Sequence, residues 1–200
     1  MLRKEGDHSM NKISLFVRKI TIPPVFAIVL LCSVYFLKPA SIGSVWYLLA
    51  GCFFLAVLPM LSYPLQRFIP HFKDKGRDGQ RNLAMLFSFA GYLLGTLLTI
   101  WQDAPVELKI IYLEYLFCGI SMLVLNKVFK IKASGHACGV IGPMIMMIYL
   151  GLYIPAAICA LLAIPVYISS IKTKRHTPMQ LLGGALIPLA MLVIVHLIMR

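Results

Sequence analysis

Three short stretches of this chain carry side chains of the kinds that chemistry uses. Ser134-Gly135-His136 stands directly before an apolar run. A Ser-Gly pair there offers a helix cap and unblocked backbone N–H groups. A helix starting at that point attracts anions through its unpaired donors and its dipole. His136 adds a group that exchanges a proton near neutral pH. Arg175-His176-Thr177-Pro178-Met179-Gln180 repeats the arrangement. Pro178 suits a first helical turn and Thr177 its N-cap, and Thr-x-x-Gln is a capping box. His176 then falls just outside the helix. The third stretch is Lys73-Asp74-Lys75-Gly76-Arg77-Asp78-Gly79-Gln80-Arg81. Arg77 and Arg81, four apart, share one face if the chain is helical here, and guanidinium groups grip phosphate oxygens in pairs. Each stretch alone also reads as a capped helix with a solvent-facing histidine, or as a solvated loop. Together they hold what phosphoryl transfer through a phosphohistidine needs. One imidazole attacks phosphorus, a second protonates the leaving oxygen, and Arg and Lys hold the equatorial oxygens. That chemistry needs no metal and no cofactor, and no acidic or Cys/His metal cluster is visible.

The elements that must position these groups follow from composition. The chain has 200 residues, 60% of them apolar and 13% charged, with a mean hydropathy of +0.86. Soluble domains are about 45–50% apolar and about 25% charged. A globule of this size has no interior large enough for so much apolar surface, so the expected fold is an all-α polytopic transmembrane bundle. Candidate spans fall at about 21–37, 43–63, 83–101, 107–126, 137–151, 153–169 and 178–199. They give seven crossings, or six if one of the short ones lies in the interface. Residues 1–20 form a basic N-terminal segment. The apolar run after it lacks a small-residue cleavage site, so it reads as an uncleaved first span. Residues 21–200 read as a single transmembrane domain.

Polar stretches 1–20, 64–82, 127–136 and 170–177 are separated by helical hairpins, which puts all four on one face. Sixteen of the 19 Lys and Arg residues lie in them, the exceptions being Lys38, Lys109 and Arg200. The positive-inside rule makes the rich face cytoplasmic. The net charge of +12 therefore points to lipid head groups or a phosphorylated ligand and not to nucleic acid. The five cysteines are scattered singly through apolar segments and read as packing residues.

The three stretches resemble the motifs of the type 2 phosphatidic acid phosphatase superfamily, the metal-independent membrane lipid phosphatases. That family carries K-x(6)-R-P, then P-S-G-H, then S-R-x(5)-H-x(3)-D. Here the middle motif reads Ala133-Ser134-Gly135-His136, and the third reads Ser169-Ser170, five residues, His176, three residues, Gln180. In the first, Arg81 matches the arginine, Asn82 replaces proline, and Asp74 stands at the lysine position between Lys73 and Lys75. The resemblance runs from about residue 60 to 190. It implies His176 as nucleophile, His136 as general acid and Gln180 in place of the aspartate that orients the nucleophile. It implies phosphate contacts from Arg81, Ser134 and Gly135. Arg77 and Lys75 join them from the Lys73–Arg81 stretch, and Lys172, Lys174 or Arg175, none of them in register, stands in for the arginine that Ser170 replaces.

The expected activity is removal of phosphate from a lipid phosphate or diphosphate, first a polyprenyl one and second a glycerophospholipid one. The expected setting is a prokaryotic inner membrane, with the site on its cytoplasmic face and membrane lipids as the other partners. The alternative is a weakened family member that binds lipid phosphates as a scaffold. Glu114 lies within the fourth span, where a charge costs roughly 2.5–3.5 kcal/mol. It either faces the site and replaces the missing aspartate, or is a neutral or snorkelling acid near a helix end. His196, near the far end of the last span, reads as structural. Trp46, Tyr47 and Trp101 read as interfacial anchors, and Gly91 and Gly95 as a close-packing pair.

Overall fold

Apolar runs bounded by proline, glycine and serine become helices in the computed structural model, which describes residues 22–172 and 177–200. Helix α1 is Pro23–Leu37 and opens on two prolines, residues whose missing N–H costs nothing in a first turn. Helix α2, Val45–Phe68, is capped by Ser44, whose Oγ accepts the Tyr47 N–H at 3.3 Å. Helices α3 (Gly76–Trp101), α4 (Val106–Val128), α5 (Gly135–Tyr149), α6 (Tyr153–Lys172) and α7 (Pro178–Met199) follow. All regular structure among the described residues is helical.

Length and composition do not confirm six or seven spans. Among the described residues, four helices are long and apolar enough to cross a membrane: α2, α4, α7 and the Asp78–Trp101 part of α3. The shorter apolar helices are α1, α5 and the Tyr153–Pro165 part of α6. At 1.5 Å per residue, the 15 residues of α5 reach roughly 22 Å, short of a hydrocarbon layer about 30 Å thick. The described architecture is compatible with an integral membrane protein, and six or seven full crossings go beyond what length and composition support.

Stretch 64–82 also departs from a plain loop. Helix α2 runs on to Phe68, a single turn covers Pro70–Lys73, and α3 begins at Gly76. Gln66 ties this corner together by donating to the carbonyls of Phe72 at 3.1 Å and Gly76 at 2.7 Å.

Close packing follows the glycines. Helices α3 and α4 are antiparallel, with Asn82 against Lys127 at one end and Gly95 against Tyr112 further down. A π-turn at Phe53–Val57 precedes Pro59, whose ring supplies no N–H to the preceding turn. The carbonyl oxygen of Phe54 in that turn lies where a Cβ on Gly91 would stand. Gly95 likewise leaves the space that the Tyr112 ring fills. Gly95→Val therefore forces the α3–α4 interface apart. It is expected to destabilise the protein by about 1–3 kcal/mol, read as a lower thermal midpoint in detergent.

Trp46 and Trp101 are 76% and 82% exposed at helix ends, as interfacial anchors would be. All three cations outside the basic stretches, Lys38, Lys109 and Arg200, lie at the opposite end of the bundle from Ser134 and Thr177. Of these, Lys109 is paired with Asp103, and this partner holds the Asp103 carboxyl below the usual carboxylate range.

Candidate functional site: two helix starts joined at Ser134 and Gln180

The Ser134 and Thr177–Gln180 helix starts meet. The Ser134 N–H donates to the Gln180 carbonyl at 3.0 Å, which bonds the cap of α5 to the first turn of α7. At the far ends of the same helices, the Tyr149 hydroxyl and His196 Nδ1 are 2.9 Å apart. The two contacts are 15 and 16 residues apart along their helices, so α5 and α7 run parallel with both N-termini on one side. His196 thus has a partner at the opposite end of the helix pair, in keeping with a structural role.

Both starts are built from local chemistry. The Ser134 Oγ accepts the Ala137 N–H at 3.3 Å. Thr177 Oγ1 accepts the Gln180 N–H at 3.3 Å, and Gln180 Oε1 accepts the Thr177 N–H at 3.3 Å, completing the capping box. Gly184 lets the helices touch, because a Cβ there would fall on the Ser134 carbonyl oxygen and lie 3.1 Å from the Ala137 Cβ. Each helix start carries about half a positive charge, so a parallel pair concentrates positive potential at one place.

The described candidate residues differ in what they reach. Ser134 is fully buried and serves as cap and anchor; a phosphate could touch its hydroxyl only if the junction with α7 opened. Gly135 is exposed and His136 half-buried on the opening turn of α5. The Gln180 oxygen that would orient a histidine is the one that closes the capping box. Ser170, where the resembled motif has arginine, is buried at the end of α6. His176 and Lys174 lie outside the described residues, as does the side chain of Arg77. In the chain, His176 directly precedes Thr177.

The Lys73–Arg81 stretch sits higher. Gly135 faces Met122 of α4, the Met122 Cε being 3.5 Å from where a Cβ would be. Lys127, five residues further along α4, donates to Asn82 Oδ1 at 3.4 Å. Asn82 of α3 is therefore roughly 7 Å beyond the α5–α7 junction along the α4 axis, and the helix start at Gly76 lies further out. Arg81 is exposed there. Lys75 is exposed at the corner, with its Nζ 2.9 Å from His71 Nε2. Sequence reasoning missed Gln66 and the Lys127–Asn82 contact, which hold this corner against α4.

Glu114 fits neither expectation. It precedes Met122 by eight residues, which places it about 12 Å below the junction. It is 1% exposed and packs in mid-helix against Gly142 of α5. It is out of hydrogen-bond reach of the helix starts and is not at a helix end.

Removing the hydroxyl tests the cap of α5 and leaves the backbone bond to Gln180 in place. Ser134→Ala is expected to cost about 1 kcal/mol of stability. The loss would be read as a lower midpoint of thermal unfolding. Among the described residues no group of three or more His, Cys, Asp or Glu is arranged to hold a metal ion. Compared with known proteins, the chain matches no protein family, no curated protein and no solved structure.

Proposed function

We propose that this protein removes phosphate from a lipid phosphate or diphosphate, using His176 as nucleophile and His136 as general acid. One observation carries the reading: Ser134 N–H to Gln180 C=O joins the starts of two parallel helices, and each start bears one of the histidine stretches. The motif resemblance to type 2 phosphatidic acid phosphatases adds the order of roles. Gly135 and the helix dipoles meet the phosphate, Arg81, Lys75 and Arg77 approach it from the start of α3, and Lys174 replaces the missing arginine. The reaction is attack by imidazole on phosphorus, departure of the lipid oxygen with a proton from His136, then hydrolysis of the phosphohistidine by water. The apolar tail lies between helices while the head group stays at the basic surface. A polyprenyl substrate comes first and a glycerophospholipid phosphate second. The setting is a prokaryotic inner membrane with the site facing the cytoplasm, on the charge rule.

A second reading has its own observation. Gln180 carries no charge to stabilise an imidazolium, and its oxygen already serves the cap. On that ground the protein would bind lipid phosphates without turnover. Phosphate release by the detergent-purified protein, measured over polyprenyl and glycerolipid phosphates with a chelator present, separates the two. Release in chelator supports the enzyme and identifies the lipid class. Tight binding without release supports the binder.

A further inference from the structure

Away from the helix starts, three hydrogen-bonding groups meet inside the apolar body of the bundle. Cys118, one turn beyond Glu114 on α4, donates its thiol proton to Glu114 Oε1 at 3.6 Å. Cys138 of α5 packs in one buried cluster with Cys118 and with Ile187 of α7, across the α4–α5 interface. Gly142 leaves the room that the carboxyl occupies, since a Cβ there would stand 3.3 Å from Oε1. Cysteines that only fill space need no acceptor beside them. Here two clustered thiols lie beside a carboxyl that bonds one of them and that the membrane interior makes costly to keep, and intramembrane acids are functional by default.

We propose that Cys118 and Cys138 form a redox-active dithiol, oxidised to an interhelical disulfide by a lipid-soluble quinone, with Glu114 as proton acceptor. The attacking species in such chemistry is the thiolate. Glu114 takes the Cys118 proton, and the Cys118 sulfur adds to the quinone. Cys138 then attacks that sulfur, so the S–S bond forms and the bond to the quinone carbon breaks. Both thiol protons and two electrons leave with the hydroquinone. An apolar oxidant suits the place, because polar thiol reagents do not enter hydrocarbon. Each cysteine is 7% exposed, which leaves an edge for a small reagent. The disulfide would fix α4 to the first turn of α5, beside Ser134 and His136. This site does not depend on the phosphatase reading.

The test oxidises the purified protein with tetramethyl-p-benzoquinone, whose ring has no hydrogen to lose to irreversible arylation. Cys32, Cys52 and Cys159 are replaced by Ser, so that Cys118 and Cys138 are the two cysteines left. Free thiols are then trapped in SDS with a maleimide, and peptides are read by mass spectrometry. The expected result is a Cys118–Cys138 cross-linked peptide that dithiothreitol reverses and that Cys118→Ser or Cys138→Ser abolishes. Glu114→Gln should slow its formation at least about tenfold. Both thiols remaining free after oxidation would overturn the site. An unchanged rate in Glu114→Gln would overturn the role of the acid. The same peptide is sought in the unsubstituted chain, so a variant that fails to fold leaves the question decided.

Discussion

His176→Ala is expected to lower phosphate release by on the order of 10⁴-fold or more, with protein yield and thermal midpoint unchanged. In the proposed reaction the imidazole forms the bond to phosphorus, and nothing beside it in the chain replaces that bond. Thr177 is committed to the cap of α7 and Gln180 to the capping box. What survives is binding at two helix starts, which holds substrate without splitting it. Lipid-phosphate affinity should therefore fall little while turnover disappears. His136→Ala should do less, about 10²–10⁴-fold, because it removes a proton donor and not the nucleophile. Its effect should be larger on a monophosphate, whose alkoxide leaves poorly, than on a diphosphate, whose leaving group is already an acid. A chelator should change neither result. Release that persists in His176→Ala would exclude the phosphohistidine mechanism.

The parts of this site legible in the sequence are those written in adjacent side chains. Ser134 as a cap, Pro178 in a first turn and the Thr177–Gln180 box all follow from residue types at fixed spacing, and the structure has each of them. The close-packing pair Gly91 and Gly95 was legible for the same reason. What joins the two starts was not. Ser134 N–H to Gln180 C=O is a backbone bond between residues 46 positions apart in number, and any two residues could make it. The parallel run of α5 and α7 is equally silent, since it rests on which helices touch. Stretch 64–82 looked like a loop because its charges hide a helical corner. Gln66, an ordinary polar residue by type, holds that corner through two carbonyls. Glu114 looked available to the site because composition gives depth only along one helix. Its distance from the helix starts depends on where Met122 meets Gly135.

That junction predicts the second large effect. Gly184→Val is expected to uncouple α5 from α7, while Gly183→Val, one residue away, is expected to be nearly neutral for fold and activity. A Cβ on Gly184 would overlap the Ser134 carbonyl oxygen and press on the Ala137 Cβ at 3.1 Å, whereas a Cβ on Gly183 has nothing within 4 Å. Neither Ser134 nor Ala137 can turn aside, since one contact is backbone and the other a methyl on the same helix turn. The helices must separate, and two costs add. Overpacking takes about 1–3 kcal/mol. The buried Ser134 N–H loses the Gln180 carbonyl, which takes about 1–3 kcal/mol more. Thermal unfolding in detergent should show the difference between the two glycine variants directly. Function separates the readings further. If a lipid phosphate binds where the two helix starts converge, Gly184→Val weakens its binding in the fraction that remains folded, because one dipole no longer reaches it. If affinity in Gly184→Val equals that in Gly183→Val, the phosphate is held elsewhere, and the basic start of α3 becomes the place to look.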